Sequence, residues 1–144
     1  MKKAGFAMVL ILMLASACSG SGNTPSGAGT ITFSANDIPG QQGNTMYVAA
    51  FDYDWQPGDP STNAIGGFVC GIATDPYSMD NVLRQVDSQG QPTLDNMLFT
   101  AGTYNVVFLI YTPGSSPSIY AEVQVTVNGD TTVNSPPWSE WVHL

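Results

Sequence analysis

From residue 30 onward, hydrophobic and polar positions alternate with a period of two, and amphipathic helical stretches of useful length are missing. Residues 119–127 (IYAEVQVTV) give the clearest alternation and predict a strand with one buried face. Residues 104–111 (YNVVFLIY) are apolar at both odd and even positions, which predicts a central strand buried on both faces. Shorter strands are predicted at residues 31–33, 46–53, 66–74 and 131–134, with weaker signals at 82–86 and 94–99.

Turn-forming residues separate these segments. Asn128-Gly129 is typical of a type I′ hairpin, and Asp75-Pro76 predicts one short helical turn that extends to Asp80. Seven or eight short strands between residues 30 and 134 match an antiparallel β-sandwich, which needs roughly 100 residues. We therefore predict an all-β fold of this class. The remaining turns are predicted at Pro39-Gly40, Gly43-Asn44, Pro57-Gly58, Gly90 and Pro113-Gly114.

The first 17 residues have a different character from the rest of the chain. Lys2 and Lys3 precede an uncharged apolar run, residues 4–14, which is followed by small residues. This run has 11 residues and is well short of the ~20 that span a bilayer. It predicts a signal peptide, residues 1–17, that is removed during export.

Residues 14–18 (LASAC) resemble the lipobox of bacterial lipoproteins. In that family the cysteine becomes the N-terminus and carries diacylglycerol, commonly with an N-acyl chain such as palmitate, so the resemblance implies a membrane anchor at Cys18. Ala15 stands where the family usually has leucine, a position at which spirochaete lipoproteins are more permissive. Ser19 implies, by the same resemblance, an outer-membrane or cell-surface location in the envelope. Ordinary secretory cleavage at A-S-A is the alternative, and it would leave Cys18 as a free thiol.

The predicted mature chain has three parts. Residues 18–29 comprise the lipidated cysteine and a Gly/Ser-rich tether, whose composition offers nothing to pack. Residues 30–134 form the sandwich, and residues 135–144 form a tail that contains proline and tryptophan. Residues 101–104 (AGTY) resemble the turn that enters the penultimate strand of immunoglobulin-like domains. This resemblance implies an immunoglobulin-like sandwich in which Tyr104 forms a tyrosine corner, with its hydroxyl bonded to upstream backbone.

Charge excludes some classes of partner. The sequence has 11 acidic residues against 3 basic ones, and removal of the signal peptide leaves Arg84 as the only Lys or Arg, for a net charge near −10. A surface of this kind repels phosphate and anionic headgroups, so nucleic acid is excluded as a partner. The membrane is then reached through the lipid and not through a basic patch.

Few residues are suited to catalysis. His143 is the single histidine and lies next to the last residue, where a triad base is hard to position. Cys70 alternates with Phe68 and Ile72 and is predicted to be a small buried hydrophobic residue, the alternatives being a reactive thiol or an intermolecular bridge. One histidine and one internal cysteine do not make a typical zinc site. We therefore do not expect an enzyme, and the alternative is a small carboxylate-dependent glycan hydrolase.

Two further groups are candidate ligand sites. Asp52, Asp54 and Asp59 lie in one acidic loop, for which we consider either a Ca²⁺ site or a solvated turn, and we expect no other cofactor. Exposed aromatic rings would serve as a platform for a glycan or protein partner, whereas a tail that folds back would use its tryptophans to cover an open end of the sandwich. The sequence thus predicts an envelope lipoprotein with a non-catalytic binding or structural role. The candidate aromatic residues are Tyr53, Trp55, Trp138 and Trp141.

Overall fold

The computed structural model describes residues 25–144, which form two facing β-sheets of seven and three strands. This confirms the predicted all-β sandwich. The predicted signal peptide (1–17), the predicted lipidation site Cys18 and the first part of the predicted tether lie outside the described residues. In the described part of the chain, no helix has the length and apolar character needed to cross a membrane. The described strands are β1 (Ile31–Ile38), β2 (Thr45–Phe51), β3 (Gly66–Gly71), β4 (Tyr77–Val82), β5 (Arg84–Val86), β6 (Pro92–Asn96), β7 (Gly102–Tyr111), β8 (Ile119–Val127), β9 (Thr131–Asn134) and β10 (Val142–His143).

The large sheet has the order β10-β8-β7-β2-β3-β5-β6, and the small sheet has the order β4-β1-β9. All strand pairs are antiparallel except β1 with β9, which run parallel. The structure contains ten strands within residues 25–144, more than the seven or eight expected. The predicted helical turn through Asp80 is wrong, because that segment is part of β4 and pairs with β1. Main-chain pairing along a sheet edge outweighs the weak local preference of such a short polar segment.

The hydrophobic core lies between the sheets and follows the predicted alternation. Phe33 from the small sheet meets Phe68 and Phe108 from the large sheet at ring-centroid distances of 5.5 and 6.2 Å. In β8, the odd-numbered positions from Ile119 to Val127 face this core. In β7, both sets of alternate positions are buried, as the sequence predicts for a central strand.

Two segments outside residues 30–134 also belong to the folded domain. The structure differs from the predicted tether at its end, where Gly29 exchanges two backbone hydrogen bonds with Phe99 and Gly27 accepts one from Gly129. A Cβ at Gly29 would lie 2.1 Å from a backbone carbon of Gly129, so glycine is what permits this close approach. At the other end, the tail folds back and adds β10 to the edge of the large sheet.

The turn before β7 forms the predicted tyrosine corner. The Tyr104 hydroxyl donates to the Thr100 carbonyl at 2.9 Å, and the Tyr104 side chain is only 7% exposed. The ring also packs edge-on against Phe99. This anchors the entry of β7, an interior strand of the large sheet that lies between β8 and β2.

Candidate functional site

The outer face of the large sheet carries a second hydrophobic cluster, separate from the core between the sheets. The sequence of β2 (TMYVAAF) is apolar at both odd and even positions. Because successive side chains of a strand point to opposite faces, one set of these apolar side chains must point away from the main core. The connection between β2 and β3, residues 52–65, covers part of this outward set. The cluster comprises Tyr47, Ala49, Phe51, Trp55, Ala64, Val107 and Leu109.

This covering loop is held in place by specific contacts. The buried Asn105 side chain donates to the Tyr53 carbonyl at 2.7 Å, and the Ile65 N–H donates to the Ala50 carbonyl at 2.8 Å. The Trp55 ring packs between Tyr120, at 5.2 Å, and Phe51, at 6.4 Å between ring centroids. Trp55 is consequently only 3% exposed.

A groove of about 400 Å³ lies beside the loop on the same face of the sheet. Its floor is formed by side chains of β2 and β7, which are mostly buried, and its far end is the connection between β7 and β8. Aromatic and aliphatic groups therefore meet hydroxyl, amide and carboxylate groups in one concavity. The lining residues are Tyr47, Phe51, Trp55, Gly58, Asp59, Ser61, Val69, Gln91, Leu109, Tyr111, Ser115, Ser116, Pro117 and Leu144.

A glycine leaves room for the Tyr47 side chain in this floor. A Cβ at Gly67, on the neighbouring strand, would lie 2.8 Å from the Tyr47 hydroxyl oxygen. Tyr47 crosses this position to donate to the Gly90 carbonyl at 3.0 Å. Burial, followed by Tyr111 and Asp87, raises the pKa of Tyr47 to about 12, so its hydroxyl is a neutral hydrogen-bonding group at physiological pH.

The groove contains no positive side chain. Asp59 is the one charged side chain in its lining, and one of its oxygens accepts from the Gln56 N–H at 2.8 Å. Arg84, the one Lys or Arg within residues 25–144, lies elsewhere, with its guanidinium 5.4 Å from the centre of the Phe68 ring. An anion that entered the groove would find no cationic partner there.

The four predicted aromatic residues divide between core and groove. Trp141 is 7% exposed, packs on Phe108 and donates from its indole to the Pro136 carbonyl at 3.1 Å, so it covers the sandwich and presents no free face. Trp138 is half-buried and stacks on Trp141 at 5.3 Å. Tyr53 is half-buried against Phe51, and only Trp55 lines the groove. Trp55 and Trp141 are therefore buried, and Tyr53 and Trp138 are half-buried.

The predicted Ca²⁺ site is not assembled either. Within residues 25–144, no three His, Cys, Asp or Glu side chains form a group that could hold a metal ion. Asp59 lies at the groove, whereas Asp54 lies near Glu122, whose pKa is raised first by burial and then by this neighbouring charge. Asp52 is exposed. The structure therefore does not bring the three carboxylates into one metal-binding group.

Cys70 is half-buried and not fully buried as predicted. Its sulfur lies 2.9 Å from the Tyr77 hydroxyl, and burial raises the pKa of the thiol. A thiol of raised pKa is a poor nucleophile. His143 is exposed at the edge strand β10.

Sequence reasoning missed most of the groove, including Tyr47, Leu109 and Tyr111. These residues look like core positions because they lie in strongly apolar strands. The available signal was that both faces of these strands are apolar, which requires a cover on the outer face. The chain matches no protein-family model, no curated protein and no solved structure.

Proposed function

We propose that this protein is an exported, lipid-anchored envelope protein that binds a ligand, without catalysis, in the groove on the outer face of its large sheet. The observation that carries this proposal is the groove itself, in which an aromatic and aliphatic floor meets a small number of polar groups. Ligand sites in proteins usually have this composition, and a volume of about 400 Å³ is within their common range of ~300–1,000 Å³.

The lining of the groove favours binding over hydrolysis. A glycoside hydrolase of the common type needs two carboxyl groups that flank the reacting bond. Asp59 supplies the single acidic side chain in the lining, and one of its oxygens is engaged by the main chain. Glu122 and Asp54 are near each other but do not line the groove. The carboxylate-dependent hydrolase therefore has no specific observation in its favour.

The position of the groove is compatible with an anchor at Cys18. The described chain enters the domain beside Gly129, where β7 begins and β8 ends. The far end of the groove is formed by residues 115–117, after β7. The ten residues of β7 span about 30 Å at ~3.3 Å per residue, so this end of the groove would point away from an anchoring membrane.

Binding in the groove is tested by blocking it from an exposed position. Val69 lines the groove and is 39% exposed, so Val69→Arg should fill the groove without disturbing the core. Leu98 is 48% exposed and outside the groove, which makes Leu98→Arg the matched control. We expect ligands found by titrating glycans, peptides and small apolar compounds to bind wild type and Leu98→Arg, but not Val69→Arg. Equal binding by all three proteins would contradict the proposal.

Lipid anchoring is tested separately. Cells that express the wild type should incorporate labelled palmitate into the protein, and cells that express Cys18→Ser should not. The same substitution should release the protein from the membrane fraction. Labelling that persists in Cys18→Ser would refute the anchor without bearing on the groove.

A further inference from the structure

One polar atom beside the groove is buried without a partner. The indole nitrogen of Trp55 has no hydrogen-bond acceptor, a state that it shares with only the Arg84 Nε among buried side-chain nitrogen and oxygen atoms of residues 25–144. An indole N–H can donate but not accept, so only an acceptor oxygen or its equivalent can satisfy it. A buried donor without an acceptor is costly, and such groups in native proteins call for an explanation.

The other buried tryptophan shows what a structural role normally looks like. The Trp141 indole is similarly enclosed, at 7% exposure, yet it donates to the Pro136 carbonyl at 3.1 Å. Trp55 differs in that its side chain lines the groove. The Trp55 side chain thus borders the groove, while its nitrogen atom is itself enclosed.

We propose that the ligand of this groove is a neutral sugar residue and that the Trp55 indole N–H donates a hydrogen bond to one of its oxygens. This inference rests on the proposed binding function and specifies its ligand. A sugar ring combines C–H groups that pack on aromatic rings with hydroxyls that both donate and accept. In the groove, Tyr47 and Tyr111 offer aromatic rings to the C–H groups of a sugar. Gln91 and Asp59 offer polar atoms to its hydroxyls.

Charge and the unpaired donor exclude the two main competitors. An anionic sugar would meet Asp59 and no cationic side chain in the lining, and it would approach a chain that has 11 acidic residues. A quaternary ammonium ligand would suit the aromatic rings and the acid, but it has no acceptor for the indole N–H. A neutral polyhydroxylated ring meets neither objection.

The Trp55 nitrogen is enclosed, so the ligand must reach it through a small displacement of the covering loop. Residues 56–63 of this loop are mostly exposed, and the loop is tied to the sheet through Asn105 and Ala50 at its two ends. Ligand binding should therefore alter the environment of Trp55 more than that of any other tryptophan.

The test compares Trp55→Phe with Trp141→Phe in the full chain, purified in a detergent that contains no sugar. The probes are neutral hexaoses of glucose, mannose and N-acetylglucosamine, with hexagalacturonate as the anionic probe and choline as the cationic probe. We expect at least one neutral hexaose to bind, with affinity about tenfold weaker in Trp55→Phe, the loss of one hydrogen bond. Trp141→Phe should retain wild-type affinity.

Nuclear magnetic resonance gives a readout that does not depend on a folded variant. The sequence contains 3 tryptophans, so a sample labelled with ¹⁵N-tryptophan gives three indole N–H signals. On addition of the bound hexaose to the wild type, the Trp55 signal should move downfield and exchange more slowly with solvent. The signals of Trp138 and Trp141 should change little.

The outcomes separate the inference from the function on which it rests. If a neutral hexaose binds but Trp55→Phe keeps full affinity and the Trp55 signal does not move, the role of the indole is refuted. If only hexagalacturonate, choline or a peptide binds, and Val69→Arg abolishes that binding, the sugar inference is refuted and the groove remains a binding site. If no probe, peptide or apolar compound binds, both proposals fail.

Discussion

Replacing Tyr104 with phenylalanine removes one hydroxyl from the turn that begins β7 and leaves the ring in place. That hydroxyl donates to the Thr100 carbonyl at 2.9 Å and lies 3.0 Å from the Thr100 side-chain oxygen. A net contribution of about 0.5–1.5 kcal/mol is usual for one such bond. Thr100 is exposed, so water can replace the lost partner at the carbonyl. We therefore expect Tyr104→Phe to lower the free energy of unfolding by about 1 kcal/mol.

The measurement is urea denaturation of residues 25–144, followed by tryptophan fluorescence, with the slope m compared between proteins. Tyr53→Phe is the matched control, because the Tyr53 hydroxyl has only a 3.5 Å contact with the exposed Asn63 side chain. The control should change stability by less than about 0.5 kcal/mol, as surface substitutions usually do. If Tyr104→Phe costs no more than Tyr53→Phe at equal m, the tyrosine corner does not stabilise this sandwich.

Three other substitutions test the outer face and the tail. Burial and a nearby carboxylate raise the pKa of Glu122 in the native state above its value in the unfolded state. The native state therefore binds the carboxyl proton more tightly, and the free energy of unfolding falls as the pH rises from the unfolded-state pKa to the native-state pKa. Glu122→Gln should raise the free energy of unfolding at pH 7 by about 0.5 kcal/mol or less, with the gain disappearing at acidic pH in the same urea assay. Gly67→Ala should push Tyr47 out of the groove floor, which should lower the free energy of unfolding by about 1–3 kcal/mol and weaken ligand binding. Gly71→Ala is the control, because a Cβ there meets nothing within 4 Å, and it should change neither stability nor binding. Trp141→Ala should cost about 3–5 kcal/mol in thermal or urea unfolding, and a cost near zero would mean that the tail does not close the sandwich.

The parts of the fold that were predictable depend on local patterns. Alternation of apolar and polar residues with a period of two identified β8. Apolar residues at both odd and even positions identified β7 as a strand buried on both faces. The strand β4 (YSMDNV) was missed because it is polar and lies at a sheet edge, where its pairing with β1 and not its composition makes it a strand. The end of the tether was missed for a related reason, since glycines that cannot pack side chains can still pair their backbone.

The candidate site was less predictable because it is built from residues that are distant in the sequence. Tyr47, Val69, Leu109 and Ser115 come from three strands and a loop, and the groove lies where the loop of residues 52–65 and the connection between β7 and β8 meet the outer face of the sheet. The sequence marked Trp55 as a candidate through its residue type and its place near a strand end. It did so equally for Trp141, which the structure places in the core.

The sequence by itself determined the all-β class and the strongly acidic character of the chain, because each follows from local spacing or from a count of residues, and the resemblance of residues 101–104 to an immunoglobulin-like turn implied the tyrosine corner. Only the tertiary structure decided which of two buried tryptophans has a partner for its N–H. The tail that carries Trp141 brings the Pro136 carbonyl with it, five residues away along the chain. The Trp55 indole has no acceptor from its own segment. Any acceptor near it would have to come from strands and loops that are distant in the sequence, and only the tertiary structure places those.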